Sequence, residues 1–138
     1  MKVVLSSIPS DSHTWNLMYM QLLLEEMGYE VVNLGSCTPV EDIISGVRDH
    51  QPDALVISTV NGHGMAEGAK ITGQLHSLGL ADDVPKLIGG NLATTGSLTP
   101  EQVSCLRASF DGVFTGERAV DDFIAFMNHS SRPHQAAN

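Results

Sequence analysis

An aspartate and a histidine, Asp11 and His13, stand two residues apart just after a short apolar run near the N-terminus, Val3-Val4-Leu5. A neutral imidazole can bind a metal ion through one ring nitrogen, while the N–H of the other nitrogen needs an acceptor that sets the tautomer. The carboxylate of Asp11 can be that acceptor. The pair therefore predicts a metal ligand together with the group that orients it.

Strand and helix patterns alternate along the whole chain, with apolar runs followed by apolar residues at helical spacing. The predicted strands are 2–8, 29–34, 54–58, 86–90 and 112–115, and the predicted helices are 15–27, 38–50, 65–78, 99 onwards and 119–127. This alternation predicts an α/β fold, namely a flavodoxin-like (Rossmann-like) doubly wound parallel sheet. We expect five strands in the order 2-1-3-4-5, with helices on both faces.

Several helix ends carry recognisable signals. Gly28 is a plausible glycine just past the end of the first helix. The second helix is predicted to open with Thr38 as N-cap, Pro39 at the first position and Glu41 closing a capping box. The segment 99–102, Thr-Pro-Glu-Gln, repeats this pattern for the fourth helix.

Unusual polar and glycine residues follow four of the predicted strands, in segments 10–14, 58–64, 89–92 and 115–117. The carboxyl ends of parallel strands meet at one edge of the sheet, and ligands bind there at the switch point, here between strands 1 and 3. The topology thus predicts that these segments form one site.

Each segment also has a simpler explanation. A lone histidine near a helix start is usually structural, and Ser10 or Asp11 could merely cap the helix. The hydroxyls of Ser58 and Thr59 could be ordinary strand-end groups, and Gly89-Gly90 could be a simple turn. The pair Gly62 and Gly64 lacks the spacing of a dinucleotide or phosphate-binding loop. We favour a shared site over these structural explanations because all of them would have to hold at once at the same edge of the sheet.

Size and charge restrict the function. The 138 residues predict a single domain over residues 1–128, with a flexible polar tail over 129–138. The formal net charge of −9 argues against a nucleic-acid partner, because a phosphate backbone requires a basic face. Cys37 and Cys105 fit no metal or redox spacing and are expected to be free thiols in a reducing compartment. We find no signal peptide or transmembrane run, which favours a cytoplasmic protein without membrane contact.

The segments Asp11 to Asn16, Ser58-Thr59-Val60 and Gly89-Gly90 together resemble the cobalamin-binding signature Asp-x-His-x-x-Gly, Ser-x-Leu, Gly-Gly. The chain is similar to the flavodoxin-like B12 domains that carry it. Within that family it most resembles the small, cobalamin-binding subunit of glutamate mutase (methylaspartate mutase). The resemblance covers about residues 2–128.

The resemblance implies cobalamin bound base-off, with adenosylcobalamin as the expected form. His13 would be the lower axial ligand of cobalt, and Asp11 would bond the far imidazole nitrogen. The nucleotide tail would enter a slot between sheet and helices, where Ser58 would bond the base, with Thr59 and Val60 packing beside it. The residues expected to contact the cofactor are Ser10, Asp11, Ser12, His13, Thr14, Asn16, Ser58, Thr59, Val60, Gly62, Gly89, Gly90, Asn91, Leu92, Ala93, Thr94, Thr95 and Gly116.

The chain departs from the signature at a few positions. Asn16 replaces the motif glycine and adds bulk near the expected corrin face, although asparagine tolerates positive φ. Trp15 is large where the glutamate mutase subunit has a small residue, and Val60 replaces the motif leucine. His63 is a second candidate ligand, with an exposed loop histidine as the alternative.

The resemblance also implies a partner, since the sequence has no arginine cluster to clamp a dicarboxylate and no barrel to shield a radical from water. We expect an adenosylcobalamin-dependent carbon-skeleton mutase, an isomerase of the glutamate to 3-methylaspartate type. A large catalytic barrel subunit would complete it, in a heterotetramer. A corrinoid carrier for methyl transfer is an alternative, disfavoured because Met1 leads directly into the first strand without a capping helical bundle. A non-catalytic cobalamin-binding protein is the third possibility.

Overall fold

The computed structural model describes residues 1–59, 64–80, 82–90, 99–115 and 118–137. Its centre is a sheet of five parallel strands in the order β2-β1-β3-β4-β5, which confirms the predicted topology. The strands are β1 (Lys2–Ser6), β2 (Glu30–Asn33), β3 (Ala54–Thr59), β4 (Lys86–Gly90) and β5 (Gly112–Phe114). The first crossover runs outward from β1 to β2, and the chain then returns to β3 on the other side of β1. The switch point therefore lies between β1 and β3, as the sequence predicts.

Helices cover both faces of the sheet. They are α1 (Trp15–Glu26), α2 (Val40–His50), α3 (Gly64–Ser77), α4 (Pro100–Ser109) and α5 (Ala119–Ala137). Successive strand residues point to opposite faces, so Val4 packs in a core with residues of α2, α3 and α4. Val3 and Leu5 pack in a second core with residues of α1 and α5. Strands buried on both faces explain why their sequences are apolar almost throughout.

The two predicted capping boxes have different outcomes. At α4, Oγ1 of Thr99 accepts from the backbone N–H of Gln102, and Oε1 of Gln102 accepts from the N–H of Thr99. At α2 the N-cap is Pro39 rather than Thr38, without a side-chain cap bond, and the helix begins at Val40. The hydroxyl of Thr38 is used elsewhere, because it donates to the carbonyl of Gly35 at 2.6 Å. That bond tightens the loop before the helix instead of capping it.

Most other ends differ from the prediction by one or two residues. Strand β1 ends at Ser6 rather than residue 8, because its ladder with β3 ends at the Ser6–Ile57 pair. Gly28 has φ of +97°, the left-handed conformation expected of a glycine that ends a helix.

The largest difference lies at the C-terminus, where α5 continues to Ala137 instead of ending near Met127. Residues 128–137 contain no glycine, and the helix continues through Pro133 although proline removes one backbone N–H donor from it. The predicted flexibility of this tail stays a prediction. No helix in the described ranges is long and apolar enough to span a membrane.

Candidate functional site

The loop between β1 and α1 holds Asp11 completely buried. Its backbone N–H donates to the carbonyl of Ile8 at 3.1 Å, and its carbonyl accepts from the N–H of Cys37 at 2.7 Å. These contacts tie the loop to the residues that follow β1 and β2. The Asp11 carboxylate therefore has a position set by backbone bonds on both sides rather than by its own rotamer alone.

The buried carboxylate is shared between His13 and the neighbouring strand. Oδ1 of Asp11 accepts from the backbone N–H of His13 at 2.9 Å, and the Nδ1 of the His13 ring lies 2.6 Å from the same oxygen. Oδ2 accepts from Oγ1 of Thr59 at 2.5 Å. A carboxylate is an acceptor only, so Nδ1 of a neutral imidazole carries the proton and Nε2 keeps its lone pair. With 59% of the His13 side chain exposed, this arrangement can offer Nε2 to a metal outside the fold.

Few other metal ligands lie nearby. In the described ranges, no group of three or more His, Cys, Asp or Glu side chains could hold a metal ion. A site with one imidazole suits a metal that brings its other ligands with it, as in a macrocycle. Among the described residues, the donor set around His13 is thus compatible with the cobalt of a corrin, which needs a single ligand from the protein.

A cavity of about 360 Å³ opens between the carboxyl ends of the strands and helices α1 and α5. Among the described residues that line it, the polar side chains are those of Asn16, Ser58 and Tyr19. The rest of the wall is apolar or glycine, formed by Trp15, Met20, Val56, Ile57, Leu87, Ile88, Gly89, Gly90, Phe114, Ala119, Val120 and Phe123. An apolar cavity with a few polar groups is typical of small-molecule binding sites, which have volumes of roughly 300–1,000 Å³.

Asn16 and Ser58, which both line this cavity, are hydrogen-bonded to each other. Nδ2 of Asn16 donates to the backbone carbonyl of Ser58 at 3.0 Å and to its Oγ at 3.1 Å. Oδ1 of Asn16 is buried and has no hydrogen-bond partner. The residue at the motif glycine position is therefore bonded directly to the serine of the second motif.

The two motif glycines are required by the protein itself. A Cβ on Gly90 would lie 1.9 Å from the carbonyl oxygen of Thr59, and φ at Gly90 is +110°. A Cβ on Gly89 would lie 3.0 Å from the carbonyl oxygen of Phe114. Both glycines line the cavity, but their lack of a side chain allows β4 to approach β3 and β5 closely.

The remaining predicted residues lie in several places. Thr59 does not line the cavity, because alternation along β3 turns it away from Ser58 and its hydroxyl bonds Asp11. Ser10 bonds Glu67 of α3 at 2.6 Å, while Ser12 and Thr14 are exposed. The predicted contacts at Val60, Gly62, Asn91, Leu92, Ala93, Thr94, Thr95 and Gly116, and the possible ligand His63, lie outside the described residues.

Sequence reasoning missed the aromatic wall of the cavity. Phe114 and Phe123 pack edge to face, with ring centroids 5.5 Å apart, and Tyr19 lines the cavity from α1. In the sequence these residues show only the apolar spacing expected of core positions. Their placement between a short strand and two helices could have been recognised only after the sheet order was known.

The chain is similar to known proteins over most of its length. The B12 binding domain model matches residues 1–123. Glutamate mutase sigma subunit 1 of Haloarcula marismortui is 31% identical over 126 residues, which cover 91% of this chain and 82% of that protein. The glutamate mutase sigma subunit of Halobacterium salinarum is 35% identical over 127 residues, covering 88% and 83%.

Solved structures show the same fold. A novel cobalamin-binding protein from Desulfitobacterium hafniense superposes with a TM-score of 0.76 at 24% identity, over 94% of this chain and 58% of that one. The methanol:cobalamin methyltransferase complex MtaBC from Methanosarcina barkeri gives a TM-score of 0.67 at 26% identity, over 87% and 42%.

Proposed function

This chain belongs to the B12 binding domain family, and we propose that it is the cobalamin-carrying small subunit of a mutase of the glutamate mutase type. The observation that carries the proposal is the buried Asp11 carboxylate, which orients a single exposed imidazole beside an apolar cavity. Two sigma subunits of glutamate mutase support it, those of Haloarcula marismortui and Halobacterium salinarum, because they match this chain over more than four fifths of their own length.

We propose that His13 binds cobalt through Nε2, with the cofactor base-off. Asp11 then holds the imidazole in the tautomer with its proton on Nδ1, which leaves the lone pair of Nε2 free for the metal. Thr59 supports the contact between Asp11 and His13, since its hydroxyl bonds the other oxygen of the Asp11 carboxylate. Hydrogen bonds from Thr59 to Asp11 and from His13 to Asp11 would thus link strand β3 to the metal ligand.

The released nucleotide tail would occupy the cavity between the sheet and helices α1 and α5. Ser58 lies at the carboxyl end of β3, where its hydroxyl can bond a heterocyclic base. Aromatic side chains such as Phe114 and Phe123 supply an apolar wall for that base. Binding the tail here would hold the base away from cobalt and leave the axial position to His13.

When bound, the cofactor supplies the cobalt–carbon bond chemistry, and the chain supplies binding and orientation. Adenosylcobalamin is the proposed form because it fits a glutamate mutase relationship. We propose that a separate catalytic barrel subunit provides the substrate site and excludes water, in a heterotetramer, since its sigma-type relatives are named as subunits.

Reconstitution tests this assignment. The chain is mixed with the large mutase subunit of the same organism and adenosylcobalamin, and formation of 3-methylaspartate from glutamate is measured. We expect product only when both proteins and the cofactor are present. Absence of product, with a known pair of glutamate mutase subunits active in the same assay, would contradict the proposal.

Methyl transfer is the second candidate function, favoured by the structural likeness to the methanol:cobalamin methyltransferase complex at 26% identity. Its test uses methylcobalamin and a methyltransferase partner in place of the mutase subunit. Demethylation of the bound cofactor by that partner, with no mutase activity, would favour this candidate. Binding of cobalamin without either activity would favour a non-catalytic binder.

A further inference from the structure

We infer that Asn16 is a positioning residue, which aims the hydroxyl proton of Ser58 into the cavity and thereby favours bases with an unprotonated ring nitrogen. The inference rests on the proposed binding of cobalamin and deepens it. The contacts that support it are the two bonds from Nδ2 of Asn16 to the carbonyl and the hydroxyl oxygen of Ser58.

The orientation of the Asn16 amide follows from one of its partners. The backbone carbonyl of Ser58 can only accept a hydrogen bond, so the amide atom 3.0 Å from it must be the donor Nδ2. The same nitrogen lies 3.1 Å from Oγ of Ser58. The reverse amide orientation would set two acceptors, Oδ1 and the carbonyl, against each other.

This orientation determines what the Ser58 hydroxyl can do. A hydroxyl has one proton to donate and lone pairs with which to accept. Since Oγ accepts from Asn16, its proton is available to another acceptor, and Ser58 lines the cavity while being only 8% exposed. Once released from cobalt, the base of cobalamin presents an unprotonated ring nitrogen, which is an acceptor of the required kind.

Asn16 contributes its Nδ2 donor at the position where the cobalamin-binding signature has glycine. A glycine there has no side chain to bond Ser58, and the hydroxyl would be free to rotate. Asparagine in place of the motif glycine thus orients the Ser58 hydroxyl as a donor toward the cavity proposed for the base. A residue that only filled space would make no difference between bases with and without an acceptor nitrogen.

The test compares cobalamin with cobinamide, a corrinoid that lacks the nucleotide and its base. In Asn16→Asp neither carboxylate oxygen can donate to Ser58, so the Ser58 hydroxyl loses the donor that orients it and can itself donate to the carboxylate instead of the ligand. We expect roughly tenfold weaker binding of cobalamin and an unchanged affinity for cobinamide. Binding is read from quenching of Trp15, the only tryptophan, which lines the cavity.

Three further variants separate positioning from a structural effect. Ser58→Ala should lose about as much cobalamin affinity as Asn16→Asp, and the double variant should lose no more than either. Asn16→Gly leaves the Ser58 hydroxyl free to rotate, so its loss of cobalamin affinity should be smaller than that of Asn16→Asp. The matched control is Asn33→Asp, because Asn33 bonds Gln21 outside the cavity and should leave both affinities unchanged.

The outcomes distinguish this inference from the proposed function. Equal losses for cobalamin and cobinamide, or no loss for cobalamin in Asn16→Asp, would overturn the positioning role while the wild-type chain still binds the cofactor. Wild-type binding of cobalamin no tighter than cobinamide would also overturn it. Failure of the wild-type chain to bind either corrinoid would instead contradict the proposed function.

Discussion

Thr59, the last residue of β3, donates its hydroxyl to Oδ2 of Asp11 at 2.5 Å, across 48 positions of sequence. The other oxygen of that carboxylate bonds the His13 ring. The orientation of the candidate metal ligand therefore depends on a strand at the switch point as well as on its own loop. This relationship leads to the first prediction.

Thr59→Val removes the hydroxyl while keeping the shape of the side chain. A buried carboxylate oxygen then loses a donor, which should lower the free energy of unfolding by about 1–3 kcal/mol. It should also weaken cobalamin binding, because the imidazole is held less firmly. Urea unfolding and a cobalamin titration measure the two effects.

The control for Thr59→Val is Thr72→Val, which removes a hydroxyl that bonds the carbonyl of Ala69 within α3. It should leave cobalamin affinity unchanged. An unaltered affinity in Thr59→Val, with the expected loss of stability, would show that the Thr59 bond serves the fold alone.

Asp11→Asn tests the carboxylate directly. The neutral amide lacks the charge that favours a proton on Nδ1, so we expect cobalamin affinity to fall about 10- to 100-fold. Asp82→Asn is a matched control, since Asp82 lies 3.3 Å from the ring of His76 in an exposed pair. Equal affinities in the two variants would argue against an orienting role for Asp11.

Gly90→Ala tests the close approach of β4 to β3. The added Cβ would lie 1.9 Å from the carbonyl oxygen of Thr59, and φ of +110° strains any side chain. We expect a loss of roughly 3 kcal/mol or more in the free energy of unfolding, measured in urea. Gly73→Ala is the control, because a Cβ there meets nothing within 4 Å in helix α3. It should stabilise the protein by up to about 1 kcal/mol, and a similar result for Gly90→Ala would refute the packing explanation.

The sequence predicted the strand order because it follows from the alternation of apolar strand and helix patterns along the chain. It predicted the contact between Asp11 and His13 because the two residues are only two positions apart in one loop. The bond from Thr59 to Asp11 was not predicted, since it depends on which way β3 alternates relative to a distant loop. The same holds for Asn16 and Ser58, which are 42 positions apart. Thr38 was assigned to the wrong bond because a threonine hydroxyl can cap a helix or bond a nearby carbonyl, and only the loop geometry decides between them.

The proposed function depends most directly on the binding of cobalt by Nε2 of His13. Electron paramagnetic resonance of the Co(II) form tests it, because a coordinated ¹⁴N splits each cobalt line into a triplet and a coordinated ¹⁵N into a doublet. Protein labelled uniformly with ¹⁵N is mixed with unlabelled cobalamin. We predict doublets in the wild-type chain and their loss in His13→Ala. The control variant His76→Ala should keep the doublets, because the His76 ring pairs with Asp82 at 3.3 Å. Triplets in the labelled wild-type protein would show that the cofactor base still binds cobalt, and doublets that survive in His13→Ala would show that another residue is the ligand.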